Sequence, residues 1–273
     1  MKKVVLVTGS TRGIGRSIAK HLSNSDYYVM VNGTNQKLID EVVSDIHADG
    51  GKAAGYCANI ADPSDVDALV AFTIETFGQI DVLIHNAGNL ADQKCIGMTD
   101  EQWRSVIDVH LNGAFYCIRR VLPYLKEHGG DIILMTSTAG LMGSVGQVNY
   151  SAAKAGLLGM LFTLASELKR YCIRVNAVSP AALTDMTRPV IEHLTEKYAK
   201  RNEPFPDFWK VGKADDIAFF IGELLNYKDE DLTGEIFGVN GTKITRWQKP
   251  IVTMSADSPE AFFSTYEAQK GSE

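Results

Sequence analysis

The sequence predicts an α/β protein: a single-domain, doubly wound parallel sheet of about seven strands with helices on both faces. Three observations carry that reading. Short β-branched runs alternate with helix-length segments, and the runs are apolar throughout, as strands covered on both faces are. No linker or low-complexity stretch interrupts the pattern across 273 residues.

The first run, KVVLVT, leads into a helix from about Gly13. YVMVN near 28–32, AAGYCA near 53–58, DVLIHN near 81–86, DIILMTS near 131–137, IRVNAVS near 173–179 and EIFGVN near 235–240 complete the strands. Between them, Asp62-Pro63-Ser64 opens a helix that runs to Gly78, with proline in its first turn. Thr99, with Gln102 three residues on, reads as a capping box ahead of Trp103, Val106 and Ile107. It starts a helix from about 99 to 128, and another runs from about 148 to 170. Two stretches stand apart. Within a domain spanning 1–246, the polar, proline-containing segment 184–212 reads as a substrate lid; 247–273 reads as a C-terminal extension or contact arm.

Composition narrows the class. With 45% hydrophobic and 22% charged residues the chain suits a globular fold, and a net charge of −6 gives no support to nucleic-acid or anionic-membrane binding. Cys57, Cys95, Cys117 and Cys172 form no CxxC pair, so reduced, mostly buried thiols are expected. The apolar run after Met1-Lys2-Lys3 is too short for a signal peptide or a membrane span, and a soluble cytoplasmic protein is the expectation. The six histidines show no HxxxH spacing and no GxSxG elbow is present, so neither a metal site nor a serine hydrolase is expected.

TGSTRGIG, Thr8 to Gly15, sits between the first strand and the first helix. Gly9, Gly13 and Gly15 there allow a tight turn and close backbone approach, leaving the helix N-terminus to face a pyrophosphate. Further on, Tyr150 and Lys154 in YSAAK lie four apart and share a helix face. The same spacing recurs at Tyr266 and Lys270, without a serine or glycine-rich strand before it, and that pair reads as surface.

The GxxxGxG spacing, HNAG at His85 to Gly88 and YSAAK together resemble the short-chain dehydrogenase/reductase family, over roughly Lys2 to Thr245. Within it the chain looks most like β-ketoacyl thioester reductases and hydroxyacyl-CoA dehydrogenases. The resemblance implies a Rossmann-like fold and a nicotinamide cofactor held by Gly9, Ser10, Thr11, Arg12, Gly13, Ile14 and Gly15. It further implies contacts from Asn32, Gly33, Thr34, Asn59, Ile60, Asn86, Ala87 and Gly88. After the sixth strand Pro180 and Ala181 stand where the family has Pro-Gly; Leu183 and Thr184 are implied to reach the nicotinamide. The implied catalytic residues are Ser137, thirteen before Tyr150, with Tyr150 and Lys154. His110, followed by Asn112 two residues on, takes the place of the family's asparagine. His85 also stands where asparagine is usual and reads as structural.

An isolated phenol titrates near ~10, and a neighbouring ammonium favours its ionised form. Lys154 is therefore expected to draw Tyr150 down. No acid ends the second strand, where Asn32-Gly33-Thr34 stands, and Arg12 is placed to pair with a 2′-phosphate, so NADP(H) is favoured over NAD(H). The reading is an NADP(H)-dependent oxidoreductase interconverting a ketone and a secondary alcohol, a 3-oxoacyl thioester on CoA or acyl carrier protein or a polyketide-like compound. The alternatives are a sugar, steroid or secondary-metabolite ketone, or a non-catalytic nucleotide sensor of the same fold. Phe205, Phe208 and Trp209 either line a substrate channel or pin the lid. The resemblance implies a homodimer or homotetramer through the helices at 99–128 and 148–170.

Overall fold

In the computed structural model, which describes residues 2–270, one nine-stranded sheet organises the chain. Strands β1 (Lys3–Val7), β2 (Tyr27–Gly33), β3 (Lys52–Cys57), β4 (Val82–His85), β5 (Gly130–Met135), β6 (Ile173–Leu183), β8 (Ile236–Asn240) and β9 (Lys243–Trp247) lie in the order 3-2-1-4-5-6-8-9. The two-residue β7 (Gly212–Lys213) pairs with the end of β6. All pairings are parallel except β8 with β9.

Alternation along β1 shows how the apolar runs work. Leu6 joins a core with α3 (Pro63–Phe77), α5 (Gly113–His128) and α7 (Val148–Leu168), whereas Val5 and Val7 join a second core with α1 (Gly13–Ser23), α2 (Gln36–Ala48) and α9 (Ala214–Asn226). Each face is buried by three helices, so the strands are mostly apolar and the polar residues they hold, such as Asn32 and His85, are hydrogen-bonded. The predicted caps form: Asp62 accepts from Ser64 N–H at 2.8 Å, and Thr99 and Gln102 make both bonds of the capping box.

Four expectations need correction. The strand count is nine because the two-residue β7 pairs with the end of β6 and a hairpin follows β8; the hairpin's two-residue loop is Gly241-Thr242, with Gly241 at φ +57°, a glycine-led turn. The helix expected over 99–128 is broken into α4 (Asp100–Ile107), a π-helical turn at Asp108–Asn112, and α5. Strand β6 continues through Pro180 and Ala181 to Leu183, because β8 and β7 supply partners beyond Ser179. Of the four free cysteines only Cys117, on the inner face of α5, is buried; Cys57, Cys95 and Cys172 sit at a strand end and in turns, and are exposed.

In the 184–212 segment α8 (Arg188–Lys200) has no buried residue, and Tyr198 packs edge-on against Phe205. In the tail, Pro259–Lys270 is helical as α10. Tyr266 is half exposed, while the side chains of Phe208 and Lys270 fall outside the described residues. Among the described residues no helix is long and apolar enough to cross a membrane.

Candidate active site

The C-terminal ends of β1, β4, β5 and β6 are neighbours, and strand order reverses between β1 and β4, where a doubly wound sheet opens a crevice. The glycine loop lies on one side. Gly9 has φ +61°, and a Cβ there would stand 2.6 Å from the Cα of Ala87; Gly13 has φ +52° with Thr184 3.6 Å from its missing Cβ. No side chain caps α1 and no acid lies in its first turn, so its N–H groups and positive dipole end are free for an anion. This cradle fits a dinucleotide pyrophosphate.

Several of the expected cofactor residues have side chains engaged in holding the cradle. Ser10 Oγ donates to Val7 O at 2.8 Å and accepts from Asn32 N–H at 3.0 Å. Asn32 Nδ2 donates to Ala58 O at 3.1 Å, while its Oδ1 accepts from Gly9 N–H at 3.3 Å. Asn86 Nδ2 donates to Thr8 O and Gly9 O at 3.1 and 2.9 Å. Thr11 packs against Gly33, Ile14 joins the second core, and Ile60 is buried against Gly113. Asn59 turns its Oδ1 to Ala61 N–H at 3.1 Å. Thr184 N–H and hydroxyl both meet Thr187 Oγ1, at 2.9 and 3.3 Å. That leaves Arg12 and Thr34 exposed at the ends of α1 and β2, and no ion pair engages Arg12 among the described residues. Arg16, one turn on, is committed to Asp45 at 2.5 Å.

On the other side, Ser137 follows β5 and caps α6 (Thr138–Met142), its Oγ accepting from Ala139 N–H at 3.2 Å. Tyr150 and Lys154 stand one turn apart at the start of α7. Gly140 lets α6 close on α7, because a Cβ there would lie 2.6 Å from the Lys154 carbonyl carbon. Thr136 Oγ1 donates to Lys154 O at 3.1 Å, and Lys154 Nζ donates back to Met135 O at 2.6 Å. The ammonium lies 5.5 Å from the Tyr150 ring centre.

The electrostatics depart from the sequence-based expectation. Burial raises Tyr150 above its usual range, opposed by a hydrogen bond with Ser137, and Asp92 adds to the rise. Lys154 is 3% exposed, and burial pushes it down to about 7. Desolvation is thus the largest effect at the phenol, and it also brings the lysine down toward neutrality.

His110 occupies the π-helical turn, 2% exposed, its ring edge-on to Tyr150 at 5.1 Å between centres. Its Nε2 lies 2.9 Å from Asn89 O and 3.1 Å from Asn89 N, while Nδ1 has no partner among the described residues. Gly88 makes room for it: a Cβ would overlap His110 Cε1. Beneath, Thr8 Oγ1 accepts from Asn86 and Ala87 N–H at 3.0 and 3.1 Å, so its proton is directed to His85 Nδ1 at 3.5 Å. His85 Nε2 then donates to His110 O at 3.1 Å. Burial, with the Lys154 charge second, holds both histidines neutral: His85 is lowered to about 3, and His110 well below its ordinary value.

Asn149 is a residue that motif reading missed. Fully buried, it donates to Ala91 O and Gln102 O at 2.9 and 3.1 Å, and so ties the loop after β4 and helix α4 to the start of α7. These partners are 58 and 47 residues away, and no local signal marks them.

A fold with this strand order, a glycine cradle after β1 and a serine, tyrosine and lysine grouped at the ends of β5 and α7 has counterparts among known proteins. The family model described as short chain dehydrogenase matches residues 3–195, and the chain belongs to that family. It is accordingly an oxidoreductase that works with a nicotinamide cofactor. Among its relatives, the 3-oxoacyl-[acyl-carrier-protein] reductase FabG of Staphylococcus epidermidis is 39% identical over 88% of this chain and 98% of its own. A 3-oxoacyl-[acyl-carrier-protein] reductase of Synechocystis is 40% identical over 88% of this chain and 96% of its own. A crystal structure of a short chain dehydrogenase from Mycobacterium avium aligns with a TM-score of 0.84 and 32% identity, covering 99% of this chain and 95% of that one.

Proposed function

We propose that the protein is an NADP(H)-dependent reductase of 3-oxoacyl thioesters, carried on coenzyme A or an acyl carrier protein, working reversibly with the 3-hydroxy form. The observation that carries this reading is the grouping of Ser137, at the end of β5, with Tyr150 and a buried Lys154 at the start of α7, in the crevice beside the glycine cradle. The names of the relatives support the substrate class.

When bound, the cofactor supplies or accepts the hydride at the carbonyl carbon. Tyr150 delivers its proton to the oxygen, so ketone, hydride and proton together give the secondary alcohol. Ser137 donates a hydrogen bond to the same oxygen and stabilises the charge that develops there. Lys154 binds the nicotinamide ribose and, titrating near neutrality, returns a proton to the phenolate. His110 is a positioning group: it is neutral, bonded to Asn89 and packed edge-on against Tyr150, and does no acid–base work. Arg12, exposed and outside any ion pair among the described residues, binds the 2′-phosphate, with Thr34 at the end of β2 assisting. Residues 184–212 serve as the lid over the substrate, and 247–273 as an extension of the 1–246 domain. The apolar groove between α5 and α7, lined by Phe115, Leu122, Met160 and Leu164, supports assembly as a homo-oligomer through these helices.

The test is turnover with NADPH across acetoacetyl thioesters, sugars and hydroxysteroids, followed by nicotinamide absorbance. The thioesters should be preferred by at least about tenfold in kcat/KM. Turnover confined to another class, or with NADH alone, would overturn the substrate or the cofactor assignment respectively.

A further inference from the structure

One buried polar side chain takes no part in the reaction derived above. His85 is the last residue of β4 and 1% exposed, and strand alternation puts it on the face of Leu83, toward α5 and α7. Burial keeps it neutral, so one ring nitrogen carries a proton and the other a lone pair. Its partners fix which. Nε2 faces the carbonyl oxygen of His110 at 3.1 Å, which can only accept, and so bears the proton; Nδ1 is left to accept from Thr8 Oγ1 at 3.5 Å.

That carbonyl belongs to the π-helical turn Asp108–Asn112, from whose end Gly113 N–H reaches back to Asp108 O. A turn of this kind interrupts the regular helical ladder and needs support from other segments. Packing supplies part of it: a Cβ on Gly156 of α7 would stand 2.9 Å from Leu111, and one on Gly113 would stand 2.9 Å from Ile60. Hydrogen bonds supply the rest. Among the described residues those that tie the turn to other segments all meet His110, from the Asn89 backbone at its ring and from His85 at its carbonyl. The ring held between them packs edge-on against Tyr150, 5.1 Å between centres.

We infer that His85 is a positioning residue for the reaction: by donating to the His110 carbonyl it fixes the π-helical turn and, through the His110 ring, the place of Tyr150 beside the reacting carbonyl. The inference rests on the reading of Tyr150 as proton donor. Reach is what a histidine contributes. An asparagine amide ends level with Nδ1, where it would meet Thr8 and stop short of His110 O, whereas a glutamine amide ends level with Nε2 and can make the bond.

The experiment compares His85→Asn and His85→Gln with the parent as full chains, using NADPH and the ketone that the parent reduces fastest in the panel above, with rates expressed per nucleotide site titrated by nicotinamide fluorescence. His85→Asn should lower kcat by about three- to tenfold, the worth of one neutral hydrogen bond, and leave KM for ketone and NADPH within about twofold. His85→Gln should keep kcat within about twofold. In the protein without nucleotide, amide exchange over residues 108–113 should quicken by about threefold or more in His85→Asn and stay parental in His85→Gln. In a His110→Asn background there is no ring to hold, and His85→Asn should then change kcat by less than about twofold. An undiminished kcat in His85→Asn, an equal fall in both variants, exchange that both variants leave unchanged, or the same fall in the His110→Asn background would overturn the inference. A parent that reduces no ketone, or a Tyr150→Phe variant at the parental rate, would instead sink the proton-donor reading; both results are seen with His85 in place and so are distinct from the others.

Discussion

Gly88→Ala tests whether the His110 ring is held where the structure places it. Gly88 does not need a left-handed backbone, so the cost of the methyl is steric: it would overlap His110 Cε1 and stand about 3.1 and 3.2 Å from Nε2 and Nδ1. His110 has nowhere to retreat, being 2% exposed, bonded to Asn89 and packed on Tyr150. Overpacking of a rigid site costs about 1–3 kcal/mol, which for a chain of this size lowers Tm by roughly 2–10 °C. The assay is a double-mutant cycle by denaturant unfolding at fixed protein concentration. In a His110→Asn background the ring atoms that clash are gone, and Gly88→Ala should then cost less than about 0.5 kcal/mol, a coupling of about 1–2 kcal/mol. An equal loss in both backgrounds, or no loss in either, would refute the packing argument.

Other outcomes follow from the same geometry. Lys154 has a folded pKa of about 7, below its unfolded value, so the native state binds fewer protons between pH 7 and the ordinary lysine range, and the destabilisation it causes is full below pH 7 and relieved as pH rises. Lys154→Met should therefore gain more stability over the parent at pH 6 than at pH 10, read from denaturant midpoints; no difference would contradict its burial as a cation. His85 is lowered to about 3, so the native state loses stability as pH falls from the unfolded histidine value through about 3; His85→Asn should reduce that slope by up to about 1.4 kcal/mol per pH unit. Arg12→Ala should raise KM for NADPH by about tenfold or more and leave KM for NADH within about twofold, measured by initial rates. Met160→Asp, in the groove between α5 and α7, should shift sedimentation toward the monomer.

Much of this was legible because it is local. The apolar runs marked seven strands, Asp62-Pro63 and Thr99 with Gln102 marked helix starts, and the glycines between β1 and α1 marked the cradle. What was not legible depends on contacts distant in sequence. The π-helical turn lies inside an uninterrupted helical pattern, and Gly88, His85 and Asn89 are what meet His110 from other segments. The engagement of Asn32 and Ser10 with neighbouring backbone, in place of an open face toward ligand, follows from the approach of β2 and β3 to the glycine loop. The pKa balance at Tyr150 and Lys154 was misjudged because spacing gives proximity and says nothing of burial, which here is the larger effect.

The proton donor is the core of the account, and Tyr150→Phe addresses it with one atom removed. In single-turnover reduction of a 3-oxoacyl thioester with NADPH already bound, the variant should be slower by about 10²–10⁴, with nucleotide affinity, followed by nicotinamide fluorescence, kept within about twofold. A variant that reduces the ketone at the parental rate would show that the phenol does not supply the proton.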